Sequence, residues 1–246
     1  MLCGDATASQ SVARVLGNQP ADMVFTDPPY NVNYSQKSRN QAGPRRIAND
    51  HLGDEFEAFL YAALVVILIL TRGAVYVCMS SSELHTLQKA FTAAGGHWST
   101  FLIWCKDQFT LGRSDYQRQY EPILYGWKAG QEHFWCGARN QGDVWRVAKP
   151  QINALHPTMK PVSLIERAIR NSSRRGGVVL DPFGGSGSTL IACEKTGRQG
   201  RLVELEPRYV DVIVRRWEAY SGQAAQLEGD PRSFETVAQE RLLLAA

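Results

Sequence analysis

Apolar and polar positions along this 246-residue chain switch repeatedly between two periods. Short apolar runs bounded by proline or glycine predict strands near 21–26, 74–79 and 99–104. Runs with helical spacing predict helices near 54–70 and 82–94. The same style returns in residues 157–220. Pro161 suits the first turn of a helix running through Arg170. Strands are predicted near 177–181 and 200–204, and a helix over 207–220. Such alternation implies the α/β class: a mainly parallel sheet with helices on both faces. Ala58 to Leu70 is almost wholly apolar. It is shorter than the ~20 residues a bilayer span needs, so it reads as a buried helix ending near Thr71-Arg72-Gly73. Residues 221–246 form a tail in which an amphipathic helix is predicted over Phe234 through Leu244, packed on the chain's own domain.

Two segments break the alternation. Residues 35–46 carry Lys37, Arg39, Arg45 and Arg46 and no acid. A mobile loop is predicted there, either an ordinary solvated one or a clamp on phosphates. Residues 106–155 are the other exception. From Phe101 to Trp145 lie ten of the chain's 24 aromatic residues, interleaved with Lys106, Arg113, Arg118, Lys128, Arg139 and Arg146. That mixture suits a nucleic-acid surface. Trp104, Tyr125 and Trp127 are expected in a core, and Arg113, Tyr116, Arg118, Arg139 and Asn140 are the candidates for DNA contact.

Composition adds modest constraints. A net charge of +3 permits a polyanionic partner without demanding one. The five cysteines, at 3, 78, 105, 136 and 193, form no Cys-x-x-Cys pair. This argues for reduced thiols in a cytoplasmic protein and against a metal site. No signal peptide precedes Cys3-Gly4-Asp5, and neither secretion nor a membrane is expected.

The candidate chemistry sits at predicted strand ends, where such sheets bind ligands. After Met23-Val24-Phe25-Thr26 comes Asp27-Pro28-Pro29-Tyr30. Pro29 supplies no N–H and keeps Pro28 extended. The Asp27 carboxylate and the Pro28 carbonyl then face outward as two acceptors, suited to the two hydrogens of an amino group on a planar base. Tyr30 offers a face for that base to stack on. The alternative is a proline turn with an ordinary capping Asp. A second strand, Val178-Val179-Leu180, runs into Asp181-Pro182-Phe183-Gly184-Gly185-Ser186-Gly187-Ser188-Thr189 and then a helix. Glycines let a backbone approach a ligand, and the helix start offers free N–H groups. The spacing is neither a dinucleotide fingerprint nor a phosphate loop, which removes the case for a nicotinamide-dependent oxidoreductase. About 20 residues on, Glu204 ends the next strand, placed to hold ribose hydroxyls. Glu206 reads as the acid that begins the following helix.

Together these segments resemble the amino-methyltransferases that methylate adenine N6 or cytosine N4 in DNA with S-adenosyl-L-methionine. Asp27-Pro28-Pro29-Tyr30 matches their catalytic motif, and Asp181 through Thr189 matches their cofactor motif. The catalytic motif comes first, as in the β-class, a circular permutation of the Rossmann-like methyltransferase fold. Cys3-Gly4-Asp5 and His156-Pro157-Thr158-Met159-Lys160-Pro161 also match. So do Arg45 through Asp50, Glu121-Pro122-Ile123-Leu124-Tyr125-Gly126-Trp127 and Ile169 through Ser173. The resemblance covers nearly the whole chain and looks strongest to methylases of phages and mobile elements.

The resemblance implies a catalytic half over 1–105, a target-recognition insert over 106–155, a cofactor-binding half over 156–220 and a tail over 221–246. It places the Gly184–Gly187 turn under the methionine part of the cofactor. Asp181, with Thr158 or Lys160, would hold the amino and carboxylate groups, Glu204 the ribose and Asp5 the adenine. Double-stranded DNA is the implied partner, and since β-class relatives often dimerise, a homodimer is implied as well. Asp27 favours adenine, because cytosine N4 enzymes more often show Ser there. Protein-modifying relatives tend to have Asn at that place, which argues against a protein amide as substrate. A DNA-binding module without catalysis is the remaining rival.

Overall fold

A computed structural model describes residues 1–33, 35–37, 44–111, 115–149 and 159–244, with the backbone alone for 35–37, 44–46, 110 and 242–244. Ten strands are described: β1 (Leu2–Cys3), β2 (Met23–Thr26), β3 (Ser35–Lys37), β4 (Pro44–Arg46), β5 (Val75–Cys78), β6 (Gly96–Thr110), β7 (Arg118–Lys128), β8 (Val144–Arg146), β9 (Val178–Asp181) and β10 (Gln199–Glu204). The helices are α1 (Ser9–Leu16), α2 (Phe56–Leu70), α3 (Leu84–Ala93), α4 (Val162–Ser172), α5 (Ser188–Thr196), α6 (Pro207–Ser221) and α7 (Phe234–Leu244).

Eight strands form one sheet in the order β1-β10-β9-β2-β5-β7-β6-β8. From β1 to β5 the neighbours are parallel, and β7 runs antiparallel to β5 and to β6. The late strands β9 and β10 thus lie between the early strands β1 and β2. Chain order and sheet order differ as expected for two halves joined in permuted sequence.

Period-2 alternation with apolar residues on both sides marks a sheet covered on both faces. Val24, Val75, Val77, Leu180 and Val203 meet α1, α2 and α3 through Leu16, Leu64 and Leu87. Met23, Phe25, Tyr76 and Val179 meet α4 and α5 through Leu164, Ile165 and Ala192. The apolar α2 buries seven of its 15 residues, and among the described residues no helix is long and apolar enough to cross a membrane.

The structure differs from the sequence reading in three places. The cationic segment expected as a loop contains a two-stranded hairpin, with Ser35 opposite Arg46 and Lys37 opposite Pro44. Pro44 is the first residue of its strand, a position where proline is tolerated. The expected boundary at 105/106 cuts through β6, because β6 and β7 pair from Gly96↔Lys128 to Thr110↔Arg118. Half of the aromatic segment is therefore main-sheet strand: Trp104 and Trp145 are buried with Tyr125, and Trp127 packs against them. Third, α7 forms where predicted, but its apolar residues are spread around the helix and make no amphipathic stripe.

Candidate active site

The first wall of the site begins where β2 stops. All four β2 residues are buried, so the chain leaves the core abruptly at Asp27. The turn beyond is pinned from below. Asp50, itself buried, accepts from the Tyr30 N–H at 3.0 Å and the Val32 N–H at 3.4 Å. Asn31 and Asn33 adopt the left-handed conformation, with φ of 58° and 51°, which asparagine tolerates better than most residues. The Asn31 side chain then accepts from the Leu52 and Gly53 N–H groups at 2.9 and 3.0 Å.

Above this turn lies a compact charge cluster. Asp27 Oδ1 accepts from the Tyr30 hydroxyl at 2.6 Å, and Oδ2 accepts from Lys160 Nζ at 2.6 Å. Lys160 Nζ also donates to the Tyr30 hydroxyl oxygen at 3.0 Å and lies 3.1 Å from Glu121 Oε2. Lys106 Nζ completes the row at 2.5 Å from Glu121 Oε1. Both lysines are buried. Burial alone would lower the Lys160 ammonium, but the Asp27 and Glu121 carboxylates outweigh it and hold it above the ordinary lysine value. Burial would raise Glu121, yet the two lysines hold it down to about 2. Asp27 stands above the usual carboxylate value because of burial, with Lys160 opposing.

The second wall is built from β9, β10 and the glycine turn. Asp181 Oδ1 accepts from the Thr26 hydroxyl at 2.8 Å and the Phe183 N–H at 3.1 Å, and Oδ2 accepts from the Thr189 hydroxyl at 2.6 Å. Burial nevertheless pushes its carboxyl up to about 7. Glu204 Oε2 accepts from the Gly185 N–H at 2.7 Å, and Oε1 from the Glu206 N–H at 2.9 Å. Burial raises its pKa, opposed by these N–H groups. Gly187 needs its missing side chain: its φ is +77°, and a Cβ would fall 2.8 Å from Ile213 Cγ2. The Ser188 hydroxyl donates to the Lys160 carbonyl at 2.9 Å, tying this wall to the first.

Between the walls is a cavity of about 450 Å³ that both line. It has room for a nucleoside-sized ligand. Gly4 and Asp5 reach it because Cys3 is in register with Glu204 and the Gly4 N–H donates to the Glu204 carbonyl at 2.9 Å. The residues fit S-adenosylmethionine: a glycine turn without side chains for the methionine part, an acid ending β10 for the ribose, and Asp5 beyond it.

Most of the sequence-predicted residues therefore converge. Asp5, Asp27, Pro28, Pro29, Tyr30, Lys160, Asp181, Phe183, Gly184, Gly185, Ser186, Ser188, Thr189 and Glu204 all line the cavity, as do Tyr116 and Arg118. Gly187 lies directly behind it, at the start of α5. Within the cavity lining, the Lys160 ammonium turns toward the wall of Asp27. An ammonium has three protons to give, and the three oxygens around this one belong to Asp27, Tyr30 and Glu121. Arg139 and Asn140 are exposed in a turn that does not line the cavity. Arg39, Arg113 and Thr158 lie outside the described residues, and Lys37, Arg45 and Arg46 are placed by backbone on β3 and β4. Sequence reasoning assigned no role to Lys106, Asp50 or Glu121. The signal for Glu121 was its place at the head of the matching segment Glu121 through Trp127.

A parallel sheet closed by an antiparallel strand, with a glycine turn and acidic strand ends facing one cavity, defines a class-I S-adenosylmethionine-dependent methyltransferase. The N6/N4 DNA methylase family model matches residues 21–215, and the chain belongs to that family. It is 25% identical to the DNA adenine methyltransferase YhdJ of Escherichia coli K12, over 91% of this chain and 84% of that protein. It is 38% identical to the type II methyltransferase M.Cfr9I of Citrobacter freundii, but over 39% of this chain and about a third (32%) of that protein's length. Among solved structures, the M1.HpyAVI–S-adenosylmethionine complex matches with a TM-score of 0.66 at 19% identity, covering 87% of this chain and 97% of that one. The cytosine-N4-specific PvuII DNA methyltransferase also matches at 0.66, with 18% identity over 87% of this chain and 84% of that one.

Proposed function

We propose that this protein transfers the methyl group of S-adenosylmethionine to the N6 amino group of an adenine flipped out of double-stranded DNA. The observation that carries the reading is Asp27 at the mouth of β2, beside the cavity that suits the cofactor. When bound there, S-adenosylmethionine supplies an electrophilic methyl carbon. The amino group of adenine is a weak nucleophile because its lone pair is delocalised into the ring. Asp27 and the Pro28 carbonyl draw on its two N–H bonds and favour a more tetrahedral nitrogen, with the lone pair directed at the methyl. Orientation and electrostatics supply most of the acceleration. Once methylated, the nitrogen bears a positive charge and gives up a weakly held proton, which the Asp27 carboxylate would accept and pass to water. Asp27 need not take that proton before attack.

A stacked base cannot reach Asp27, so it must be extruded from the duplex. Tyr30, fixed at its backbone by Asp50 and at its hydroxyl by Asp27 and Lys160, presents a ring for it to stack on. Tyr116, 92% exposed, and Arg118 stand at the cavity rim for the flanking strand. The hairpin of Lys37, Arg45 and Arg46 follows the catalytic turn closely enough to hold phosphates. Expression in a host without DNA methylation, followed by sequencing of modified bases, tests the reading. N6-methyladenine at one recurring sequence is the expected result. N4-methylcytosine would move the base assignment, and unmodified DNA would overturn the function.

A further inference from the structure

Lysine, glutamate, lysine and aspartate alternate in space across four places in the fold. Lys106 stands on β6, Glu121 on β7, Lys160 just ahead of α4, and Asp27 at the end of β2. Lys160 is 6% exposed and Glu121 19%. The row is more than a generic buried pair, because its last member is the group that meets the amino nitrogen. A carboxylate at Asp27 is an acceptor alone, whereas its protonated form presents an O–H donor to an N–H it should accept. Burial favours that unproductive form.

We propose that Lys160 is the positioning residue that keeps Asp27 an aimed carboxylate during methyl transfer, against the opposing charge of Glu121. The inference rests on the amino-methylation reading and extends it to the charged groups behind Asp27. Glu121 is a second anion 3.1 Å from the same ammonium, and its charge acts on Asp27 in the opposite direction to that of Lys160. Lys106 satisfies the outer oxygen of Glu121, so that Glu121 offers one oxygen to Lys160. The other ionisable groups facing the row are the Tyr30 hydroxyl, the Cys78 thiol at the end of β5 and Asp181 at the end of β9. Burial raises the Cys78 thiol well above its ordinary value, so it stays neutral. Asp181, its carboxyl pushed up to about 7, acts in the same direction as Glu121 only where it is ionised.

The two partners act on Asp27 with opposite sign, which makes the test sharp. Lys160→Met keeps the length of the side chain and removes the cation, so the Asp27 titration should move up by at least one pH unit. Glu121→Gln keeps the shape and removes an anion, so the titration should stay at or move below its native position. The direct readout is the Asp27 carboxyl carbon followed by NMR across pH in native protein and both variants. The acid limb of the methyl-transfer rate on DNA should follow the same order. S-adenosylmethionine affinity, measured by calorimetry, should stay within about threefold of native in both. An upward shift in Lys160→Met with none in Glu121→Gln supports the proposal. Unmoved titrations in both variants, or loss of rate by the same factor at every pH, overturn it. If Lys160→Met does not fold, Lys160→Arg replaces it. Retention of the native pH profile and most of the rate with arginine supports the role, and a profile shifted upward overturns it. Because the NMR titration needs no activity, native protein that methylates no DNA would defeat the amino-methylation reading while the titration still judged the row.

Discussion

The two walls of the cavity hold their carboxylates in opposite ways. At the end of β2, Asp27 is held by two side chains, one of them a buried ammonium 133 residues away in sequence. At the ends of β9 and β10, Asp181 and Glu204 are held by backbone N–H groups and hydroxyls, chiefly from the turns beside them. Hydrogen bonds from backbone and hydroxyl groups fix an acid without a counter-charge. A counter-ion fixes it and also sets its protonation. The cofactor wall is thus built as a rigid cradle, and the catalytic wall as an electrostatic device.

If that contrast is right, removing Asp27 should separate chemistry from binding completely. Asp27→Ala should lower methyl transfer to DNA by three orders of magnitude or more, on the order of 4 kcal/mol of transition-state stabilisation. Cofactor affinity should stay near native in calorimetry. Substantial residual turnover would strip Asp27 of its role, and a collapse of cofactor binding would erase the distinction between the walls.

The converse substitution is Glu204→Ala. It should weaken S-adenosylmethionine binding by roughly 10- to 100-fold, the scale of about 1.5–3 kcal/mol for hydrogen bonds to a charged group. The turnover of saturated enzyme should change far less. The same change frees the Gly185 N–H from its partner, so part of the loss reflects a slacker glycine turn. Unchanged affinity would move the ribose contact to another residue.

Asp181 belongs to the cradle but lacks a counter-ion, and this has a consequence for stability. Its carboxyl is pushed up to about 7 in the folded protein, against about 3.9 in an unfolded chain. Between those values the folded state binds the extra proton, so stability falls as pH rises from about 4 to about 7. Asp181→Asn has no such proton to lose. Relative to native protein, the variant should gain on the order of 3 kcal/mol between pH 4.5 and 7.5 in denaturant titrations without cofactor. A parallel pH dependence in the two proteins would mean that hydrogen bonds to Asp181 outweigh its burial.

The contrast between the walls also explains what the sequence revealed. The cradle was legible because it is local. Asp181, the glycines and Thr189 lie within nine residues, and their order is dictated by a strand turning into a helix. Asp27-Pro28-Pro29-Tyr30 was legible for the same reason. The row behind Asp27 was not, because Lys106, Glu121 and Lys160 meet through sheet order and strand register, which no spacing along the chain encodes. Lys160 was noticed beside its prolines, but its contacts with Asp27 and Glu121 were not: the Ser188 bond to its carbonyl anchors it at the glycine turn, while its long side chain crosses to the wall of Asp27. Likewise the aromatic segment read as an insert, since β6 and β7 owe their place to partners that composition does not show.

The smallest predicted effect asks whether the electrostatic wall extends to the nucleic acid. Arg45 and Arg46 lie on the hairpin that follows Asp27, whereas Arg139 lies in a turn away from the cavity. Removing a cation that neutralises one phosphate should lessen the salt dependence of DNA binding by about 0.9 in the slope of log affinity against log salt. Arg45→Ala and Arg46→Ala should each flatten the slope by about that amount and weaken binding across sequences alike. Arg139→Ala should leave slope and affinity unchanged if the DNA sits over the catalytic wall alone. A slope that flattens with Arg139→Ala and not with the hairpin variants would reverse this and place the duplex against the Arg139 turn.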